Sequence, residues 1–402
     1  MLGILDDVSV LELTHRLSGA FCAKLLADQG AATIKIEAPG SGDAARHEPP
    51  FIGGTPHPEK SSLFLAFNTN KRGVTLDITT PSGKAMVLRL VAERDILIES
   101  FAPGYLDDLG LGYDVLRKIN PNLIMTSITP FGQDGPYRHY QADDLIAQAV
   151  GGFLYTSGSS DKAPMGTALH QTEIVSARNA TIASMAALTQ QQIGAGEGQH
   201  IDVSIMEAVI STPPHFIHQY SFLGTIIGRG FGDRTVLDGM HLATGDSDVT
   251  LTTAGTGGNP MQTWADFLDE PKLTDPKFST RLGRAQNWQA LLDLIQAKLA
   301  HWKAHDFMRQ AMDKRLVVGV VQSPTEVVNC PHLAERGTFA AFGHADAGTL
   351  NYPGPGFLVD GVNPIAGGCA APRLGEHNVA VYVDELGLSL DELGVLSASG
   401  VV

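Results

Sequence analysis

Two runs near the start of the chain constrain its fold most. Residues 8–13 form a short apolar stretch, and residues 33–37 form a second, rich in Ile and Thr. Between them lies a helix-forming segment, about 18–29, closed by Gly30. Strand, helix and strand at that spacing make a parallel pair joined by a right-handed crossover. The alternation continues through a strand at 74–77, a helix opened by Pro81, and strands at 96–98 and 122–128. Proline suits a first helical turn because its missing N–H would be unpaired there anyway. Such alternation implies an α/β chain with a parallel sheet.

The segment 164–208 is a loop, a helix, a glycine turn and a strand. Thr172 is placed to cap the helix, with Glu173 in its first turn. Ile174, Ala177, Thr181, Met185 and Leu188 recur at helical spacing, and Val175, Ile182 and Ala186 form a second apolar row. The alanines keep the helix slim, so other elements can approach it closely. Gly194, Gly196 and Gly198 end it, and Ile201, Val203 and Ile205 alternate as a strand. A carboxylate at a helix N-terminus is favoured in its charged form. Glu173 is therefore either a nucleophile, held charged and partly desolvated, or an ordinary first-turn acid that steadies its helix.

The chain has 402 residues, enough for a large core and for two domains. We read residues 1–212 as a large α/β domain, 225–325 as a small domain, and 330–402 as a segment returning to the large one. A formal net charge of −15 argues against nucleic acid as a partner. Cys22, Cys330 and Cys369 are far apart and odd in number, and none has a C-x-x-C spacing. They suggest a reducing cytoplasm rather than a disulfide framework, and no metal site. The N-terminus carries two early acids and no basic region, unlike a signal peptide. No apolar run reaches the ~18 residues of a membrane span.

After the first strand the chain reads L-T-H-R-L-S-G-A, without the G-x-G-x-x-G of a dinucleotide site. His15 and Arg16 fall at the carboxyl end of that strand, where open α/β sheets bind ligands. His215 and His218 are spaced as on one helix face, but no acid–histidine set stands near them, so they read as packing residues. Short strands are expected at 235–248 and 249–253, then a glycine-rich loop. Amphipathic helices follow at 264–268 and 288–302, and a buried strand leads into 316–327.

Several motifs together resemble the family III CoA-transferases: L-A-D-Q-G-A with I-K-I-E, then G-D-A-A-R; P-M-G-T-A-L-H-Q-T-E before an alanine-rich helix; G-Q-H-I-D-V-S; and L-G-E-H-N near the end. The resemblance runs over essentially the whole length. It implies a large Rossmann-like domain with a parallel sheet, a smaller α+β domain, and an interlocked dimer. It implies coenzyme A as acyl-CoA substrate, a carboxylic acid as acceptor, and no metal. In the family an aspartate attacks the thioester, and Glu173 falls on that position.

By the same resemblance the His15–Arg16 loop meets the CoA thiol arm, and Lys71 and Arg72 face the CoA phosphates. Asp144 matches an aspartate of the CoA site, although Asp143 and Asp144 also suit a helix cap. Gly255, Gly257 and Gly258 correspond to a lid loop. Ala38, Ala102 and the Asp107–Asp108 pair stand where relatives carry arginines, which removes three positive charges from the expected CoA surface. Two functions follow. This chain is an active transferase working through a glutamyl anhydride and thioester, with a donor such as succinyl-CoA. Alternatively it is the non-catalytic subunit of a heteromeric transferase of the benzylsuccinate type. A 2-methylacyl-CoA racemase ranks below both, because Asp143 replaces the histidine base of that branch.

Overall fold

The computed structural model describes residues 3–158, 160–194, 196–212, 214–226, 228–229, 239–253 and 260–402. The chain divides into two compact units. One comprises Met1–Phe153, Gly166–Pro214 and Ala334–Val402, and the other Leu154–Met165 and His215–Leu333.

The first unit is built on six strands: β1 (Ser9–Leu13), β2 (Ala32–Glu37), β3 (Arg72–Thr75), β4 (Ile96–Glu99), β5 (Ile124–Thr129) and β6 (His200–Ser204). They pair in the order β3-β2-β1-β4-β5-β6, parallel throughout. Chain order reverses between β1 and β4, and sheets of this kind bind ligands outside the carboxyl ends of the strands at that point. The strands send apolar side chains to both faces, as a sheet covered on both sides requires. Leu11, Leu13, Ile34, Ile36 and Leu97 feed one core, while Val10, Ile96, Ile98 and Ile124 feed the other.

Helix α1 (Ser18–Ala27) covers the second core, and α2 (Pro81–Val91) the first. The sequence-read boundaries of these elements hold within a few residues. The C-terminal segment completes the first core with Val381, Tyr382 and Leu393. It also closes the edge strand β3. The Thr75 amide donates to Asn378 Oδ1 at 2.9 Å, and the Tyr382 hydroxyl donates to the Thr75 carbonyl at 2.9 Å. Edge strands left bare invite pairing with other chains. The L-G-E-H-N motif therefore has a structural task in this unit.

Helix α3 (Asp144–Val150) precedes the long α4 (Gln171–Gln192). Helix α4 buries Ser176, Ala177, Ala180, Thr181, Ser184, Ala187 and Leu188. This small-residue face lets α4 approach the sheet and α1. Ser184 shares a 2.8 Å hydrogen bond with Thr126 on β5, and Thr181 reaches Cys22 of α1 at 3.4 Å. The second apolar row expected from spacing is not a core row. Ile182 is 67% exposed and Ala186 is exposed.

The second unit carries the antiparallel strands β7 (Gly239–Ala243), β8 (Asp248–Thr252) and β9 (Val317–Val320). Its core packs Trp264, Phe278, Ile295 and Phe307 against Leu251. The stretch read as a connector holding His215 and His218 is helical, Pro214–Leu223. Among the described residues, no helix is long and apolar enough to cross a membrane.

Candidate active site

The site begins beneath the end of β1. Glu12 is fully buried, and its Oε1 accepts from Thr14 Oγ1 at 2.6 Å and from Lys35 Nζ at 2.7 Å. Its other oxygen lies 2.7 Å from Lys71 Nζ. Lys35 Nζ also lies 2.7 Å from Asp43 Oδ2. Burial alone would raise the Glu12 and Asp43 carboxyls, but Lys35 reverses this and both are held below their usual range. Burial would lower Lys35, yet Asp43 and Glu12 hold it above the ordinary lysine value. Among the described residues Glu12 is the one acid within ion-pair distance of Lys71, and burial leaves this lysine below its usual range. Such pairs add little net stability, but losing one partner costs about 3–5 kcal/mol. The network is best understood as a device for placement.

What it places is the loop after β1. Asp43 Oδ1 accepts the amides of Arg16 at 3.0 Å and of Ala45 at 2.9 Å. Glu37 in turn accepts the Asp43 amide at 2.9 Å and grips Arg46 through both carboxylate oxygens. The G-D-A-A-R motif is thus a clamp on Arg16. Arg16 has φ of 69°, a left-handed conformation that is strained for a residue with a side chain. Neighbouring side chains leave such a turn in different directions. The His15 ring packs edge-on against Phe101 at 4.8 Å, and Phe101 stacks on Tyr105 at 4.9 Å. These three rings help to line a cleft of about 400 Å³, together with Glu37, Ala38 and Ile78. Arg16 is absent from that lining, and its Nη2 lies 3.9 Å from Glu173 Oε1.

Glu173 is 6% exposed, in the first turn of α4. The helix is not capped by Thr172. Its cap position is His170, left-handed at φ 54°, with no side-chain hydrogen bond closing the turn. Asp144 closes it from α3 instead, accepting the Thr172 amide at 2.8 Å and the Thr172 hydroxyl at 2.7 Å. Burial raises the Glu173 carboxyl above its ordinary value. Arg16, His170 and the amide of Leu17 oppose that shift, and Asp144 adds to it. Leu17 is the cap residue of α1, so the carboxylate lies near two helix N-termini. Oxygen Oε2 of Glu173 and Nδ1 of His170 are buried without a hydrogen-bond partner among the described residues. A desolvated carboxylate with a free oxygen, near one cation, can act as a nucleophile.

The CoA-transferase family III model matches residues 5–378. The chain belongs to CoA-transferase family III. This transferase is 33% identical over 409 residues to a succinyl-CoA–D-citramalate CoA-transferase of Chloroflexus aurantiacus, covering 99% of this chain and 98% of the relative. It is 29% identical to a formyl-CoA:oxalate CoA-transferase of Streptomyces avermitilis, at 99% coverage of both. Among solved structures it resembles a CAIB/BAIF family protein from Brucella suis, with a TM-score of 0.82 and 27% identity. That likeness covers 96% of this chain and 100% of the other.

The transferase brings only some of the expected site residues together. Glu173 and Arg16 adjoin, and His15 faces the cleft. Lys71 does not face a ligand: it is buried beneath β1 and donates to Ala20 O and Asn68 Oδ1, each at 2.8 Å. Arg72 opens β3 and is paired with Glu385 of the C-terminal segment. Both oxygens of Asp144 are engaged, one by Thr172 and the other by Gln148 at 2.7 Å, which makes it a support for α4. Asp143 caps α3 through the Ile146 amide, as its position suggested. Gly255, Gly257 and Gly258 lie outside the described residues. Sequence reading missed His170, whose only signal is its place three residues before Glu173. It also missed the Glu12–Lys35–Asp43 network, whose members are distant in sequence.

Proposed function

We propose that this chain is itself catalytic and that Glu173 is the nucleophile. The donor is an acyl-CoA such as succinyl-CoA, the donor named for the Chloroflexus relative. The Glu173 carboxylate attacks the thioester carbonyl, the C–S bond breaks, and CoA thiolate leaves an acyl–glutamyl anhydride. The thiolate then attacks the Glu173 carbonyl and releases the donor acid, giving a glutamyl-CoA thioester. The acceptor carboxylate attacks that thioester, and the returning thiolate carries CoA onto the acceptor and frees Glu173. Charge is conserved at every step, and no metal is called for.

One observation carries this reading: a buried carboxylate with an unbonded oxygen, 3.9 Å from a guanidinium, beside two helix N-termini. The His15 cleft is the proposed seat of the CoA nucleotide end, with the segments 1–212 and 330–402 supplying the site and 225–325 a smaller domain. We place the protein in the cytoplasm, as a homodimer or a heterodimer with a related subunit. The exposed Ile182 on α4 supports a partner there.

A second reading has this chain as the non-catalytic subunit of a heteromer. The cleft lining favours it, because Glu37, Asp43 and Asp77 contribute carboxylates and no lysine or arginine. Glu173→Gln separates the two. The first reading expects loss of transfer by at least ~1,000-fold with an unchanged melting curve. Transfer that survives in the reconstituted enzyme supports the second.

A further inference from the structure

We propose that Arg16 seats the reacting carboxylate of the acceptor, and that acylation of Glu173 makes its charge available. This rests on Glu173 being the nucleophile.

In the resting site Arg16 is poorly partnered. It lies 3.9 Å from Glu173 and 4.0 Å from Glu48, beyond hydrogen-bond reach of both. Among the described residues, none of its guanidinium N–H groups makes a hydrogen bond, and its side chain is 43% exposed. The loop is nevertheless built with care. A left-handed backbone, held by Asp43, turns the guanidinium toward the nucleophile instead of into the cleft.

A carboxylate acceptor has to approach another carboxylate. In the free enzyme Glu173 repels it and also balances Arg16. Once Glu173 carries an acyl group or CoA it is uncharged, and Arg16 loses that counter-charge. The guanidinium then faces the reacting carbonyl with a planar fork of donors free, the geometry that suits a carboxylate. One acceptor oxygen on the fork leaves the other within attacking range, about 3–3.5 Å, of the Glu173 carbonyl carbon. Recognition of the acceptor is thereby tied to the loaded state of the enzyme.

The test separates the half-reactions. The holoenzyme is mixed with succinyl-CoA alone, and the adduct on Glu173 is read by intact mass. Exchange of ¹³C-succinate into succinyl-CoA then reads the return step without a known acceptor. Assays at about pH 8 keep carboxylates ionised. Arg16→Gln is expected still to form the adduct, slowed by far less than the ~10–100-fold by which it raises the KM for succinate. Arg16→Lys should recover part of that loss, since it restores charge without the fork. An unchanged KM for succinate in Arg16→Gln overturns the proposal, as does an equal loss in both half-reactions. Absence of adduct in the wild type instead overturns the Glu173 assignment itself, and this inference with it.

Discussion

At the residue scale, the Glu173 carboxylate is positioned by its chain length as much as by its helix. Glu173→Asp withdraws it by roughly 1 Å, and a displacement of that size costs about 100-fold in rate. Burial also raises its pKa, and Arg16 only partly offsets this. The nucleophile must be ionised, so kcat/KM should fall as pH drops through that raised value. Removing Arg16 should move the acidic limb of the profile to higher pH.

Glu99 gives a second pH signature. It ends β4, is buried, and accepts the Phe101 amide at 2.7 Å, which ties it to the wall of the His15 cleft. Burial raises its pKa to about 7, against opposition from Ser127 and the Phe101 amide. The folded state therefore binds this proton more tightly than the unfolded chain. That contribution is fully present below the unfolded value and is lost as pH rises from about 4.5 to about 7, on the order of 3 kcal/mol. Glu99→Gln should flatten the stability curve in this window, as urea titrations at several pH values would show.

The first-turn place of Glu173 was legible in the sequence, while the role proposed for it rests on family resemblance and not on spacing. The partners of Lys71 and Arg72 were not legible, because local sequence says nothing of residues far along the chain. Lys71 finds Glu12, 59 positions earlier, and Arg72 finds Glu385 near the end.

At the element scale, α4 depends on support from outside itself. Asp144 closes its first turn across 28 positions of sequence. Asp144→Ala should cost about 1–2 kcal/mol, as lost N-caps do. It should also lower kcat more than it raises the KM for acyl-CoA, because the turn it frees carries Glu173. A melt together with steady-state kinetics checks both parts. The existence of α4 and its termination by glycine were plain from sequence, and Gly194 is left-handed at φ 72°. Its orientation was not. The helix buries serines, threonines and alanines, and apolar periodicity cannot register such a face. The side chains that periodicity did register, Val175 and Ile182, are half-buried and exposed.

At the scale of the whole molecule, the strand–helix alternation foretold the parallel sheet, because parallel strands require crossovers. It did not foretell that the last segment returns to finish the first core, which is a matter of long-range packing around Val381 and Tyr382. Charge also acts at this scale. A net −15 chain, with acids lining its cleft, repels a polyanionic CoA ester. Raising salt from about 10 mM to about 150 mM screens that repulsion, so kcat/KM for the acyl-CoA should rise. A steep fall would mean that cations elsewhere hold the phosphates.

The covalent role of Glu173 is measured most directly on one peptide. Trypsin releases residues 163–178, in which Glu173 is the sole side-chain carboxyl. After incubation with succinyl-CoA and no acceptor, that peptide should gain the mass of CoA less one water, and Glu173→Gln should abolish the gain. A peptide of unchanged mass, from enzyme that is turning over, would contradict the account.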